Sequence, residues 1–469
     1  MRLILGVGIN CKTSRLPRET IFLEEASVTT KTMVLGRRKM IAAVMICAAV
    51  LAAGQAAAGV PEGLLGPDVV VFELPSTYNW GTDGTVRAYS VGTTSCNRGD
   101  TPLAWISNTN QHPVIAQNLY RVTLPDPPAE HGKIEMLGMS WLKNGFVSIN
   151  LTTAGCGTCP GNPPGSQLGV GCTDPYSASL NGSHDRLGPR SDVNAFTGYF
   201  VYPHPEPTGN PTVAGRLQVK TSEIISDPTT YSYFVEGQYI APDDAGWPDG
   251  VNTGPNNGMN NASFREVLVS GTNLDTTGAT QEGRPAIYAW QDLDPTVTIR
   301  EVLVPNEGLF VTGYKIGDNG DGTWHYEYAV FNLNSDLSGR SFTVPIRSDS
   351  VITNIGFRDV DYHSGEPYDL TDWAVDVDTA SGLLSWSSVD PVLPILPENA
   401  NALRWSTMYN FSFDADSPPE DALASIGMFK TGGPSAVAVF VQAPATNLIP
   451  LFTDDFESGD TSGWSTVEP

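Results

Sequence analysis

From about residue 68 onward, turn-forming residues cut the chain into runs of strand length, and this punctuation constrains the fold more than any other feature. The 469 residues include 47 glycines and 36 prolines. At that density a helical bundle or coiled coil is excluded, and a loop-rich, mostly β globular protein is expected. With 40% hydrophobic and 16% charged residues, the chain has enough apolar surface for more than one core.

In the first half, Val69 to Leu74, Val86 to Val91, Val114 to Val122, Ile134 to Trp141, Phe146 to Leu151, Arg216 to Val219, Tyr231 to Ile240 and Phe264 to Val269 read as strands. Between them lie a long Gly- and Pro-rich stretch and an acidic, Asn-rich loop from Ala241 to Asn261. From Thr296 to Val441 roughly ten strand-length runs follow one another over about 150 residues, the spacing of a β-sandwich. In the run from Trp324 to Phe331, period-two alternation puts Trp324, Tyr326, Tyr328 and Val330 on one face, which is assigned to the core. The expected organisation is a Cys-containing irregular β domain over 59–290, a β-sandwich over 291–445 and a flexible tail over 446–469.

The formal net charge is −25, and eight of the 26 basic residues fall within the first 58 positions. Such a surface repels phosphate backbones and anionic lipid headgroups, so nucleic acid is not an expected partner. It suits divalent cations, neutral glycans or a cell-surface component. Arg37, Arg38 and Lys39, the apolar run Ile41 to Ala53 and the Ala-rich site before Gly59 read as a bacterial secretory signal peptide. The start is then expected at Met33 or Met40, the location outside the cell, and no membrane span in the mature chain, because about 20 apolar residues are needed for one. Four sequons, at Asn150, Asn181, Asn261 and Asn410, are glycan acceptors only in a eukaryotic host.

Four cysteines follow the leader: Cys96, Cys156, Cys159 and Cys172. In an exported protein they read first as two disulfides, with the connectivity open. A four-thiolate zinc site and a redox Cys-x-x-Cys pair are the alternatives.

Several strings together resemble a family of large exported bacterial proteins without an assigned activity: Val91 to Cys96, Ser107 to Pro113, Met139 to Lys143, Gly171 to Tyr176, Leu187 to Arg190 and Val360 to Pro367. The similarity runs from about residue 68 to 440 and implies that the Cys cluster and both halves form one architectural unit. It also implies a histidine where this chain has Asn144. The Phe456-Glu-Ser-Gly459 segment resembles tails at the ends of exported bacterial proteins.

Candidate chemistry is sparse. Asp359, Asp361 and His363, followed by Glu366 and Asp369, would project from one face of a strand as a metal site or general acid/base group, or form a solvent-facing edge. Asp318, Asn319 and Asp321 resemble the opening of a calcium loop, although a β-turn explains the same residues. Asp243, Asp244 and Asp249 form a second oxygen-rich patch. His112 and His184 are candidate copper or zinc ligands. No Gly-x-Ser-x-Gly elbow, His-Glu-x-x-His motif or phosphate-binding loop is present. The expectation is a secreted binding or structural protein with calcium as its cofactor. An extracellular polysaccharide hydrolase and a metal-dependent oxidase stand as alternatives.

Overall fold

The computed structural model describes residues 66–124, 131–245, 256–361 and 366–444. The leader, the start site, the C-terminal tail, Asp249 and His363 lie outside the described residues.

Between Thr298 and Ala443 ten strands form two five-stranded antiparallel sheets. One sheet has the order Thr298–Leu303, Leu309–Asp318, Trp324–Asn332, Thr407–Ala415, Ile352–Arg358. Its partner runs Ala374–Asp378, Leu383–Ser387, Gly339–Pro345, Glu420–Met428, Ala436–Ala443. Aromatic rings fill the space between them: Phe411 of the first sheet lies 4.8 Å from Phe342 and 5.3 Å from Trp386 of the second. This is the sandwich that the turn spacing predicts, and the chain as a whole is mostly β.

The strand Trp324–Asn332 carries Tyr326, Tyr328 and Val330 into that core, as its alternation predicts. Its opposite face is covered as well. Phe331 meets Tyr120 edge-on at 6.5 Å, and the Asn410 side chain on the neighbouring strand donates to the Ile134 carbonyl at 2.7 Å. The covering layer is a seven-stranded antiparallel sheet from the first half. Its centre is the pair Val114–Thr123 and Tyr231–Ile240, in continuous register from Tyr231↔Thr123 to Ile240↔Val114, with Lys133–Met139 on the first of them. One apolar cluster therefore joins Tyr120, Ile134 and Met136 to Val311, Phe331 and Met408. A second core lies under two three-stranded sheets: Val69–Glu73, Thr93–Asn97 and Thr173–Tyr176, and Thr77–Asp83, Val86–Val91 and Leu217–Lys220.

Arg190 ties these layers together. Its buried guanidinium donates to the carbonyls of Ser140 (2.6 Å), Gln117 (3.2 Å) and Ser406 (3.1 Å) and to Asn118 Oδ1 (2.8 Å). Asn118 in turn donates to Glu236 at 2.8 Å, and Glu236 accepts the Ala286 N–H at 2.7 Å.

The cysteines form two disulfides, Cys96–Cys156 and Cys159–Cys172. Cys156 and Cys159 thus belong to different bridges, which overturns both the zinc and the redox Cys-x-x-Cys readings. The shorter bridge closes a loop of 13 residues in a segment with few backbone ladder bonds, where cross-linking removes about 3 kcal/mol of unfolded-chain entropy.

Phe146 to Leu151 is not a strand. Its N–H groups are taken by side chains and loops instead: Phe146 donates to the Tyr176 hydroxyl at 2.6 Å, Ile149 to Asp174 Oδ1 at 2.8 Å and Ser148 to the Gly165 carbonyl at 2.9 Å. The apolar alternation is real, yet Val147, Ile149 and Leu151 face solvent. Of the four sequon asparagines, Asn181, Asn261 and Asn410 are buried and hydrogen-bonded inside the fold, so they are unavailable for modification in the folded chain.

Phe411 sits where the sandwich aromatics converge, so Phe411→Ala should cost about 3–5 kcal/mol of stability, as cavity-forming aromatic truncations do. Urea unfolding followed by tryptophan fluorescence checks this; a loss below about 1 kcal/mol would mean the core collapses around the gap.

Candidate functional site

A cleft of about 770 Å³ opens where the tip of the Leu309–Asp318/Trp324–Asn332 hairpin meets the Val114–Thr123 and Lys133–Met139 strands. Polar residue types line it: Asn319, Asp321, Thr323, Thr353, Asn354 and Ser412 contribute amides, hydroxyls and a carboxylate. At its base two imidazoles stack, His131 on His325, with ring centres 4.6 Å apart and planes inclined by 11°.

Backbone geometry permits that stack. His131 lies against Gly317, where an added Cβ would come within 2.0 Å of its Nδ1. Only glycine leaves room for the ring against the strand. His131 Nε2 then lies 2.7 Å from Asn319 Oδ1, whose amide nitrogen donates to Thr323 Oγ1 at 2.8 Å. The Asn319 orientation identifies Nε2 as the protonated nitrogen of a neutral His131.

The two rings are pushed in opposite directions. Burial works against a charge on His325, but hydrogen bonds and charges from Glu327 and Asp414 outweigh it, and its pKa is raised. The contacts are His325 Nδ1 to Asp414 Oδ1 at 2.7 Å and Nε2 to Glu327 Oε2 at 3.6 Å. Asn354 holds Asp414 in place by donating to Oδ2 at 2.6 Å. His131 is pushed the other way by burial and by the neighbouring His325 and Lys315 charges, against the Asn319 hydrogen bond. The stacked pair is thus biased in opposite senses, His325 toward its charged form and His131 toward its neutral one.

Deeper in, the charges are paired. Arg121 bridges Glu135 and Glu223, each at 2.8 Å, Lys133 reaches Glu135 at 2.9 Å, and Arg358 reaches Glu223 at 3.3 Å. Burial would raise the Glu135 pKa, yet Arg358, Lys133 and Arg121 together bring it down to about 2. The Arg121 guanidinium also lies 4.9 Å from the Tyr231 ring centre, giving the cleft one aromatic wall.

The residues singled out from sequence lie elsewhere or play other parts. The strand expected through Asp359, Asp361 and His363 ends at Arg358, so Asp359 and Asp361 do not share a strand face. Asp359 accepts from the Asn401 side chain at 2.5 Å, and burial pushes its pKa up to about 6. Exposed Asp361 pairs with Lys220 at 2.9 Å. Glu366 caps the backbone at Arg190, accepting its N–H at 2.7 Å. Asp318 and Asp321 accept turn N–H groups from Gly320 (2.8 Å) and Thr323 (3.0 Å), while Asn319 faces the cleft. His112 is fully buried, accepts the Gly145 N–H at 3.1 Å, and is pushed down to about 4 by burial. Asn144 is buried beside the Arg186 carbonyl. Among the described residues no three His, Cys, Asp or Glu side chains gather as metal ligands.

The cleft residues His131, His325, Glu135 and Asp414 escape sequence reasoning. One signal was available: the face of Trp324–Asn332 opposite the aromatic one carries His325 and Glu327, polar residues that a buried strand does not need for packing. Nothing local foretells His131, which reaches the site from a separate segment.

Two outcomes follow from the imidazole pair. His325 should titrate above the ordinary value of about 6.5 and His131 below it, read by NMR of the ring protons. A raised pKa means the charged His325 stabilises the fold below its unfolded value, and that contribution is lost as pH rises through the folded value. Gly317→Ala should expel His131 and abolish the ring-current shift on His325; an unchanged His325 spectrum would refute the close approach.

No protein-family model matches the chain, and no curated protein matches it. Among solved structures, the partial N-terminal region of an enterococcal surface protein aligns at 9% identity over 82% of this chain and 96% of that one, with a TM-score of 0.16. A likeness that loose carries nothing about architecture or activity.

Proposed function

We propose that the protein is exported and serves a binding role at the bacterial cell exterior, with the cleft holding a neutral glycan. The two disulfides support an oxidising compartment, and among the described residues no helix is long and apolar enough to cross a membrane. The resemblance of several sequence strings to large exported bacterial proteins accords with this reading.

The observation that carries it is the chemistry of the cleft lining. Side-chain amides, hydroxyls and carboxylates alternate around an open trough with flat His and Tyr faces. Such a set recognises vicinal hydroxyls through hydrogen bonds and sugar faces through stacking. The Arg and Lys residues are already neutralised by Glu135 and Glu223, so a polyanion gains little there.

A second reading has one specific support. His325, held between Asp414 and Glu327 with a raised pKa, is built like a general acid. On that reading the protein cleaves the polysaccharide it binds.

A glycan array followed by calorimetry on the leading ligand separates the two. Binding without release of reducing ends supports the first reading, and release abolished by His325→Gln supports the second. Asn319→Ala and Asn354→Ala should each weaken binding about twofold to tenfold, the worth of one hydrogen bond. Neutral glycans that fail to bind, or binding indifferent to both substitutions, would remove the cleft from consideration.

A further inference from the structure

Where the chain enters the strand Val69–Glu73 lies a buried group of oxygen atoms remote in role from the cleft. Asp68 is fully buried, and among the described residues no donor reaches either carboxylate oxygen with full hydrogen-bonding geometry. The Asn260 side-chain amide lies within reach of it and acts to lower its pKa, and among the described residues the amide oxygen of Asn260 is buried without a partner. Asp244 is fully buried too. Its Oδ1 accepts the Val69 N–H at 3.2 Å and its Oδ2 accepts the Asn261 amide. Two further bonds clamp the region: the Asn257 N–H to the Asp244 carbonyl at 2.9 Å, and Asn257 Nδ2 to the Pro67 carbonyl at 2.8 Å.

Among the described residues, the charges around this group do not neutralise it. Arg98 is the cation acting on Asp68, but its guanidinium is held by both oxygens of Glu282, each at 2.7 Å, and by the carbonyls of Gly155 and Cys156. Asp243 adds a third negative charge near Asp244 and spends its Oδ2 on the Ala104 N–H at 2.6 Å. Burial accordingly pushes the Asp68 carboxyl up to about 6 and holds Asp244 well above its ordinary range. Two buried carboxylates whose one described cation, Arg98, is already held by Glu282 call for a proton or a further cation. One shared proton supplies one donor and leaves the other acceptor oxygens bare. A hard divalent cation satisfies carboxylate and amide oxygens together, and calcium takes six to eight such ligands.

We propose that Asp68, Asp244 and the Asn260 amide oxygen bind one calcium ion, which fastens the start of Val69–Glu73 to the segment leading into Ala262–Ser270. The site is independent of the cleft and of its ligand. It uses two carboxylates and an amide, which is an oxygen set for calcium and lacks the imidazole or thiolate that zinc or copper prefers.

The test is calorimetric titration of calcium chloride into the purified full chain after removal of metal by chelator, alongside thermal unfolding with and without about 1 mM calcium, the range of extracellular calcium modules. One ion per chain and a raised unfolding midpoint are expected, with magnesium at least about tenfold weaker. Asp68→Asn and Asp244→Asn preserve shape while removing charge, and each should weaken calcium binding at least about tenfold. Absence of binding in the natural chain would overturn the proposal whatever the variants do. So would binding retained in both variants, or Asp68→Asn raising the midpoint at pH 8 with calcium giving none, the signature of a lone carboxyl kept neutral by a proton.

Discussion

Arg190 is the interaction on which the layered arrangement depends. Its guanidinium donates to the carbonyls of Ser140, Gln117 and Ser406 and to the side chain of Asn118, while its own backbone N–H is taken by Glu366. Gln117 and Asn118 belong to the seven-stranded sheet, and Ser406 lies next to the sandwich strand Thr407–Ala415. A planar, permanently charged fork is the side chain suited to joining three backbone segments in a dry interior. The same node fixes Asn118, which bonds Glu236 and the Ser406 hydroxyl at 2.9 Å. Glu236 is buried, and burial raises its pKa. Bonds from Tyr120, Asn118 and the Ala286 N–H satisfy its oxygens. Removing any one partner would leave charge or lone pairs stranded, so the network acts as a unit.

That junction also makes the cleft. A sandwich alone would expose the outer face of Trp324–Asn332 to water. Because a second sheet covers most of that face, only its end near the Asp318 to Trp324 turn remains open, and the polar residues there become the base of a trough. His325 sits at the boundary between cover and solvent. Its stack with His131 exists because the two sheets are held in one register by the Arg190 node and because Gly317 leaves space for the ring. The paired charges of Arg121, Glu135, Glu223 and Arg358 line the same seam, drawn from both halves of the chain.

Much of the strand pattern was legible. Val86–Val91 and Tyr231–Ile240 begin and end where period-two alternation and flanking turn residues place them, because both signals are local. Phe146 to Leu151 shows the limit: alternation without a neighbouring strand to pair with makes no ladder, and the N–H groups went to Tyr176, Asp174 and Gly165 instead. Asp359 and Asp361 failed for a related reason, since the strand ends at Arg358, before either of them. The oxygen-rich character of the Ala241 to Asn261 loop was visible, but Asp68, about 175 residues away by the Val69 to Asp244 bond, could not be connected to it by inspection.

The sequence by itself determined what depends on neighbours along the chain: a mostly β composition, turn positions, the core face of Trp324 to Val330, and cysteines in numbers that pair. Tertiary structure alone decided which cysteines pair, which carboxylates lose water and which histidines meet. These depend on residues tens to hundreds of positions apart being brought within a few ångströms. At that range desolvation and local charge set a group's chemistry, and neither is written in the identity of the residue or of its neighbours along the chain.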